Sequence, residues 1–299
     1  MKIEGVFAPI ATPFGDDGNI DWEMYSKNLS KFAKTSLSGI VSLGSNGEFA
    51  MLSCEEKLEL IKATRKGLPK DKALIAGTGC ESLRDTIRLT NDAADAGADV
   101  ALVINPSYFK KDLSEGVLQK HFEGVADKSK IPVMLYNMPG NSGINLPSSL
   151  VIKLSAHPNI KGVKDSGGNI VQISEILASV PEDFSVFAGS GSYLFATTVL
   201  GGKGGTLAVA NVAPDYCAEL YQAAKSGNIE KGRKMQLALL ALNNAVTAGF
   251  GIGGMKAAMD IAGFYGGPPR LPIQPAADEI KEKIYKMIDK LGLVGKYKD

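Results

Sequence analysis

Histidine and cysteine are scarce in this chain, at 2 and 3 of 299 residues. Cys54, Cys80 and Cys217 are odd in number and far apart, which leaves neither a disulfide framework nor a Cys-x-x-Cys metal knuckle. With His121 and His157 the only histidines, there are few means of binding a catalytic transition metal. Excess charge is lacking too. Lys+Arg 33 against Asp+Glu 32 gives a net charge of +1, and no basic block supplies a nucleic-acid footprint. No apolar run approaches the length that spans a bilayer. Met1-Lys2-Ile3-Glu4-Gly5 enters a strand-like segment without a secretory h-region. These absences predict a cytoplasmic protein with no nucleic-acid and no membrane partner.

What the chain does have is alternation. Its 44% hydrophobic and 22% charged residues describe an ordinary globular protein of one or two domains. Apolar, β-branched runs recur at Gly5–Ile10, Gly39–Leu43, Ala73–Ala76, Val100–Ile104, Pro132–Tyr136, Ile160–Lys164, Ser185–Ala188 and Gly205–Val209. Most are apolar on both faces, as parallel strands covered by helices are. Asp21, Ser53 and Ser82 stand where helix N-caps belong, and Ser53-Cys54-Glu55-Glu56 reads as a capping box. About eight strand–helix units predict an α/β fold, a (β/α)₈ TIM barrel. A doubly wound sheet is the runner-up, but the first strand–helix turn lacks Gly-x-Gly-x-x-Gly. Strand signals stop after Gly227. Ile229–Ala248, Met255–Ile261 and Ala276–Leu291 read as helices, which divides the chain into a catalytic barrel (1–227) and a C-terminal helical extension (228–299).

Active sites of such barrels lie at the C-terminal ends of the strands, so the residues closing each strand carry the search. Lys164 ends the strand from Ile160, on the same face as Gly162 and Ile160 by period-two alternation. If that face lines the barrel, desolvation favours the uncharged amine that Schiff-base chemistry needs. The alternative is a lysine that snorkels to water or pairs with a carboxylate. Tyr136 closes the preceding strand. It either packs its ring and hydrogen-bonds its hydroxyl, or shuttles protons for a neighbouring amine. Gly44-Ser45-Asn46-Gly47 is either a plain turn or one whose backbone N–H groups hold a substrate carboxylate. Gly201-Gly202-Lys203-Gly204-Gly205 is either a phosphate cradle or tight packing.

Taken together, the motifs resemble the pyruvate-dependent class I aldolase family of dihydrodipicolinate synthase and N-acetylneuraminate lyase. The resemblance spans essentially the whole chain. It runs through Ala11-Thr12-Pro13-Phe14, Gly-Ser-Asn-Gly-Glu (44–48), Asn-Pro-Ser-Tyr (105–108) and Tyr-Asn-Met-Pro-Gly-Asn-Ser-Gly (136–143). It continues in Gly-Val-Lys-Asp-Ser-Gly-Gly (162–168) and Ala-Gly-Ser (188–190). Order and spacing, more than any single fragment, carry it. The resemblance implies Lys164 as the Schiff-base lysine and Tyr136 as the proton shuttle. It implies that the backbone amides of Ser45 and Asn46 hold the pyruvyl carboxylate, with Ser45 in a proton relay. Asn46 stands where dihydrodipicolinate synthases commonly carry threonine, so the relay rests on Ser45. Tyr108 matches a tyrosine that a neighbouring subunit inserts into the site, which implies a homo-oligomer, commonly a homotetramer. Gly189 matches the residue whose backbone touches the 2-oxo acid.

One departure bears on substrate. The synthases carry an arginine in the turn after the tyrosine strand, to bind the aldehyde's carboxylate; here that position is Asn141. An amide cannot replace a bidentate guanidinium. The Gly-Ser-Asn-Gly-Glu turn, the asparagine turn and Lys-Asp-Ser-Gly-Gly resemble 4-hydroxy-2-oxoglutarate aldolases more closely, with Asn141 and Ser166 contacting the second half of the substrate. The expected activity is a metal-free lyase that joins or splits pyruvate and an aldehyde, best taken as glyoxylate. Condensation with aspartate semialdehyde is the alternative. Two further rivals are a metal-dependent aldolase, disfavoured by the placement of His121 and His157, and a non-catalytic 2-oxo-acid-binding barrel, which needs neither Lys164 nor Tyr136.

Overall fold

The computed structural model describes residues 3–298. Met1 and Lys2, part of the N-terminal stretch read for a secretory segment, lie outside them, as does Asp299. The first four strands are β1 (Gly5–Pro9), β2 (Gly39–Ser42), β3 (Ala73–Gly77) and β4 (Val100–Ile104). The last four are β5 (Val133–Asn137), β6 (Ile160–Asp165), β7 (Ser185–Ala188) and β8 (Gly204–Thr206). All pair in parallel, each with its sequence neighbour, and β8 closes on β1. The expected TIM barrel is the observed one.

Helices fill the crossovers. α1 (Trp22–Ala33), α2 (Cys54–Gly67), α3 (Leu83–Asp95) and α4 (Glu115–Lys128) follow the first four strands. The turn α5 (Pro139–Ser142), then α6 (Ser148–Ser155), α7 (Ile170–Leu177), α8 (Leu194–Val199) and α9 (Pro214–Lys225) follow the others. The caps are where the sequence put them. Asp21 accepts from the Met24 N–H at 3.0 Å and Ser82 from the Asp85 N–H at 3.0 Å. Ser53 and Glu56 exchange both bonds of the capping box, at 3.2 and 2.8 Å.

Two layers of apolar side chains result. Inside the barrel stand Phe7, Val41, Ile75, Leu102, Met134, Tyr136 and Phe187; Val133, Leu135, Val163 and Val186 face the helices. Ile160 does not share the face of Lys164 as alternation predicted. It packs in the outer layer, because the β5–β6 register shifts between Val133 and Met134, and a bulge reverses the alternation. β8 also ends earlier than expected. After Thr206 the chain turns into a single 3₁₀ stretch, Ala208–Asn211, and the Asn211 side chain bonds Pro9 and Ala11 in place of a longer ladder. Gly204 serves close packing, since a Cβ on it would stand 1.9 Å from the Gly5 carbonyl oxygen.

The C-terminal segment forms α10 (Ile229–Asn244), α11 (Gly251–Ala262) and α12 (Asp278–Lys290). The helix expected to run through Ala248 changes to π-type at Ala245–Gly249. Leu239, Leu242, Met255, Met259, Ile284 and Ile288 share one apolar cluster with Val6, Ala8 and Ile40 of the barrel. Among the described residues no helix is long and apolar enough to cross a membrane.

Buried His121 on α4 gives a test of this packing. Its Nε2 meets no hydrogen-bond partner among the described residues, and burial pushes its pKa down to about 4, against a smaller opposing effect of Glu81. A folded-state pKa below the unfolded value of about 6.5 means that stability is whole above pH 6.5 and is lost as pH falls towards 4. The loss amounts to about 3 kcal/mol over that window. Urea melts at pH 7 and 4.5 should show a smaller difference for His121→Phe than for the parent. Equal differences would remove His121 from the acid sensitivity.

Candidate active site

Lys164 stands one residue from the end of β6 inside the barrel, 3% exposed, opposite Tyr136 on β5, 5% exposed. Strand pairing sets them side by side, with Nζ 3.9 Å from the centre of the phenol ring. A side chain at 162 would close the space below, since a Cβ on Gly162 would lie 2.5 Å from the Ser185 carbonyl oxygen. Behind the pair, Asp165 faces the helices and locks the two strand ends. It accepts from Asn137 Nδ2 at 2.8 Å, Gln172 Nε2 at 2.9 Å and the Gly167 N–H at 2.9 Å. Lysine and tyrosine are therefore held by backbone register and by a buried amide–carboxylate network as well as by their own contact.

The Tyr136 hydroxyl lies 3.4 Å from Ser45 Oγ. Burial works to raise its pKa, but the Lys164 charge and hydrogen bonds with Ser45, Lys164 and Ser166 outweigh it, and the phenol lies below its ordinary value. A phenol so placed beside an amine can give and take protons near neutral pH more readily than a free one.

Ser45 opens a one-turn 3₁₀ helix, Ser45–Gly47. The Gly47 and Glu48 N–H groups close it on the carbonyls of Gly44 and Ser45, while those of Ser45 and Asn46 meet no acceptor among the described residues. Orphan donors at the start of a helical turn suit an anion. Leu43 and Glu48 flank this turn at φ 59° and 58°, a left-handed conformation that costs a non-glycine residue roughly 1–2 kcal/mol. Across the mouth, the Gly189 N–H donates to the Asp165 carbonyl at 2.7 Å. A Cβ there would stand 2.0 Å from Ser166 Oγ, so glycine is required for β7 to approach.

A family model for the dihydrodipicolinate synthetase family matches residues 2–291. The chain belongs to that family. It is similar to the 4-hydroxy-tetrahydrodipicolinate synthase of Archaeoglobus fulgidus, 36% identical over 97% of this chain and 99% of that one. It is equally similar, 36% over 96% of each chain, to a protein of Emericella nidulans named as a probable mitochondrial 4-hydroxy-2-oxoglutarate aldolase. Among solved structures, a prophage protein of the family from E. coli K12, in complex with pyruvate, superposes with a TM-score of 0.90. That match is 30% identical and covers 97% of this chain and 99% of that one. Membership in the dihydrodipicolinate synthetase family makes this chain an enzyme, a lyase.

Other residues singled out in the sequence stand apart from the pair. Asn46 turns its amide to Met255 Sδ, at 3.1 Å, so only its backbone addresses the mouth. Asn141 is exposed on α5. Tyr108 is 79% exposed beside Phe109, on a loop pinned by Glu81, and its hydroxyl bonds neither Ser45 nor Tyr136 of its own chain. Among the described residues no three histidine, cysteine or acidic side chains converge as a metal site would require.

Sequence reasoning missed two contributions of the C-terminal helices. Asn243 on α10 holds the loop after Gly189, bonding Ser190 and Ser192 at 3.0 and 2.8 Å. Lys256 on α11 reaches Glu48 at the end of the Gly44–Glu48 turn. Lys256 and Asp260 are spaced i,i+4, as a solvated surface pair would be, and that spacing hid the lysine. The available signal was the apolar company around it, Gly253-Gly254-Met255 before and Ala257-Ala258-Met259 after.

Proposed function

We propose that this enzyme cleaves, or in reverse forms, a 4-hydroxy-2-oxo acid through a lysine imine, with pyruvate as the retained partner and glyoxylate as the aldehyde. The buried Lys164–Tyr136 pair beside Ser45 is the observation that carries the chemistry. The Lys164 amine attacks C2 of the 2-oxo acid, whose carboxylate rests on the free N–H groups of Ser45 and Asn46, with the Gly189 backbone beside it. Tyr136 supplies the proton with which the carbinolamine hydroxyl leaves as water. The protonated imine then accepts the C3–C4 electron pair as the Tyr136 phenolate removes the C4 hydroxyl proton, and the aldehyde departs. Protonation of the enamine at C3 and hydrolysis of the imine release pyruvate and restore Lys164. No metal takes part.

A homotetramer belongs to the proposal, with Tyr108 reaching a neighbour's site to complete the relay through Ser45. Exposed Tyr108 and Phe109 suit one two-fold contact. Exposed Val171, Val199 and Leu200 suit a second, and two different two-fold contacts generate a closed tetramer. Residues 1–227 form the catalytic unit in this reading, and 228–299 an extension sharing its core. A cytoplasmic location suits three unpaired cysteines, as would the mitochondrial one in the name of the Emericella nidulans relative.

The aldehyde is chosen on Asn141, with Ser166 as its companion contact. A second reading, condensation with aspartate semialdehyde, is favoured by the Archaeoglobus fulgidus relative and by one cation. Lys110 lies against the Asn141 turn, its Nζ 2.6 Å from where a Gly143 Cβ would stand. An ammonium there offers point contacts where a guanidinium offers a fork. Assayed with pyruvate, glyoxylate should therefore exceed aspartate semialdehyde in kcat/KM. Asn141→Arg should move that ratio towards the semialdehyde by about ten-fold, part of the roughly 1.5–3 kcal/mol of a charged hydrogen bond. Efficient condensation of the semialdehyde by the parent enzyme would decide for the second reading.

A further inference from the structure

Beneath the carboxylate turn lies a charge pair that the reaction does not use. Lys256 Nζ and Glu48 Oε1 are 2.7 Å apart, their side chains 1% and 0% exposed. Lys256 also donates to the carbonyls of Thr12 and Pro268, at 2.8 and 2.9 Å. Glu48 Oε2 accepts from the Arg270 N–H at 2.8 Å. The Phe14 ring lies under both cations, 4.6 Å from Lys256 Nζ and 4.4 Å from Arg270 Cζ. The Thr12 hydroxyl donates to the Gly47 carbonyl at 2.7 Å. These contacts converge on the Gly44–Glu48 turn and on the Thr12–Phe14 segment that supports it.

Two charges taken out of water cost several kcal/mol each, and their attraction offsets this only with good geometry and further hydrogen bonds. Such a pair is a weak source of stability, and in some proteins it selects one arrangement over its competitors. Here it grips Glu48, the residue held at φ 58°, from two sides. Glu48 closes the 3₁₀ turn by donating its N–H to the Ser45 carbonyl at 3.1 Å, so fixing Glu48 fixes the turn that presents the orphan N–H groups. We infer that the Glu48–Lys256 pair is a positioning device through which the C-terminal helices aim the Ser45 and Asn46 N–H groups. Affinity for the 2-oxo acid then depends on a lysine that never touches it. The inference rests on reading that turn as the carboxylate site.

Lys256→Met and Glu48→Gln each strand a buried group. The double variant Glu48→Gln/Lys256→Met removes both charges at similar volume and gives the fairer test of a folded protein. Two quantities are measured on each full-length variant: the pyruvate concentration for half-maximal borohydride trapping on Lys164, and amide hydrogen exchange of residues 43–52 without ligand. Half-saturation should rise about ten-fold or more, with trapping near parental at saturating pyruvate and KM changing far more than kcat. Exchange should quicken in 43–52 and not in β6. A folded double variant with half-saturation within about two-fold of the parent and unchanged exchange overturns the positioning role. Loss of thermal stability with unchanged half-saturation overturns it as well, since that is structural support alone. If the parent itself traps no pyruvate, the functional reading falls; the exchange measurement then decides the positioning role, quickened exchange sustaining it and unchanged exchange ending it.

Discussion

Pyruvate with borohydride should leave a reduced secondary amine on Lys164, and Lys164→Ala should abolish both the adduct and turnover. Of the described lysines, Lys164 combines burial at the mouth of the barrel with a neighbouring acid–base group; Lys256 is equally buried but committed to Glu48 and two carbonyls. An exposed lysine forms imines too slowly and too reversibly to compete with one held beside a proton donor. Loss of the nucleophile should cost about 10³-fold or more in kcat. Peptide mapping after reduction is the measurement. An adduct on a different lysine, or none, sinks the covalent mechanism. Turnover should survive chelation; loss on chelation with recovery on adding zinc would bring back a Lewis acid.

Tyr136→Phe should keep the ring that packs over Lys164 and lose only the hydroxyl. A drop in kcat of about 10²–10⁴-fold is the scale of general acid–base catalysis. The pyruvate concentration for half-saturation should change far less, because the proposed mechanism assigns carboxylate binding to the Ser45 turn. The Ser45–Tyr136 separation of 3.4 Å is long for a working relay, and such contacts shorten when substrate arrives. Single-turnover kinetics separate the steps; a near-parental kcat would leave Tyr136 a packing residue. Tyr108→Phe should show a smaller defect of the same kind. A monomeric variant should match it if Tyr108 serves a neighbour, and full activity in a monomer confirmed by light scattering would remove the shared site.

Local patterning was enough for much of this. A residue at a strand end is specified by chain position, so Lys164, Tyr136 and Ser45 were legible as neighbours once the runs were recognised as strands of one barrel. Helix caps are contacts over three residues, and Asp21, Ser53 and Ser82 cap where their side chains predict. The barrel itself followed from eight apolar runs separated by amphipathic segments, because parallel strands need crossover helices to bury both faces.

Other features depend on partners distant in sequence. The bulge that turned Ile160 outward is set by pairing with β5, since a strand's alternation says nothing about where its register slips. β8 stopped short because the Asn211 side chain, more than 200 positions from Pro9 in the sequence, took up the bonds a longer strand would have made. Lys256 carried an ordinary surface spacing, and only the docking of α11 beneath the Gly44–Glu48 turn made it a buried partner of Glu48. Periodicity thus determined the barrel and which residues stand at its strand ends. Long-range packing decided how the Gly44–Glu48 turn is held, because the cost of burying a charge depends on what the folded chain brings against it.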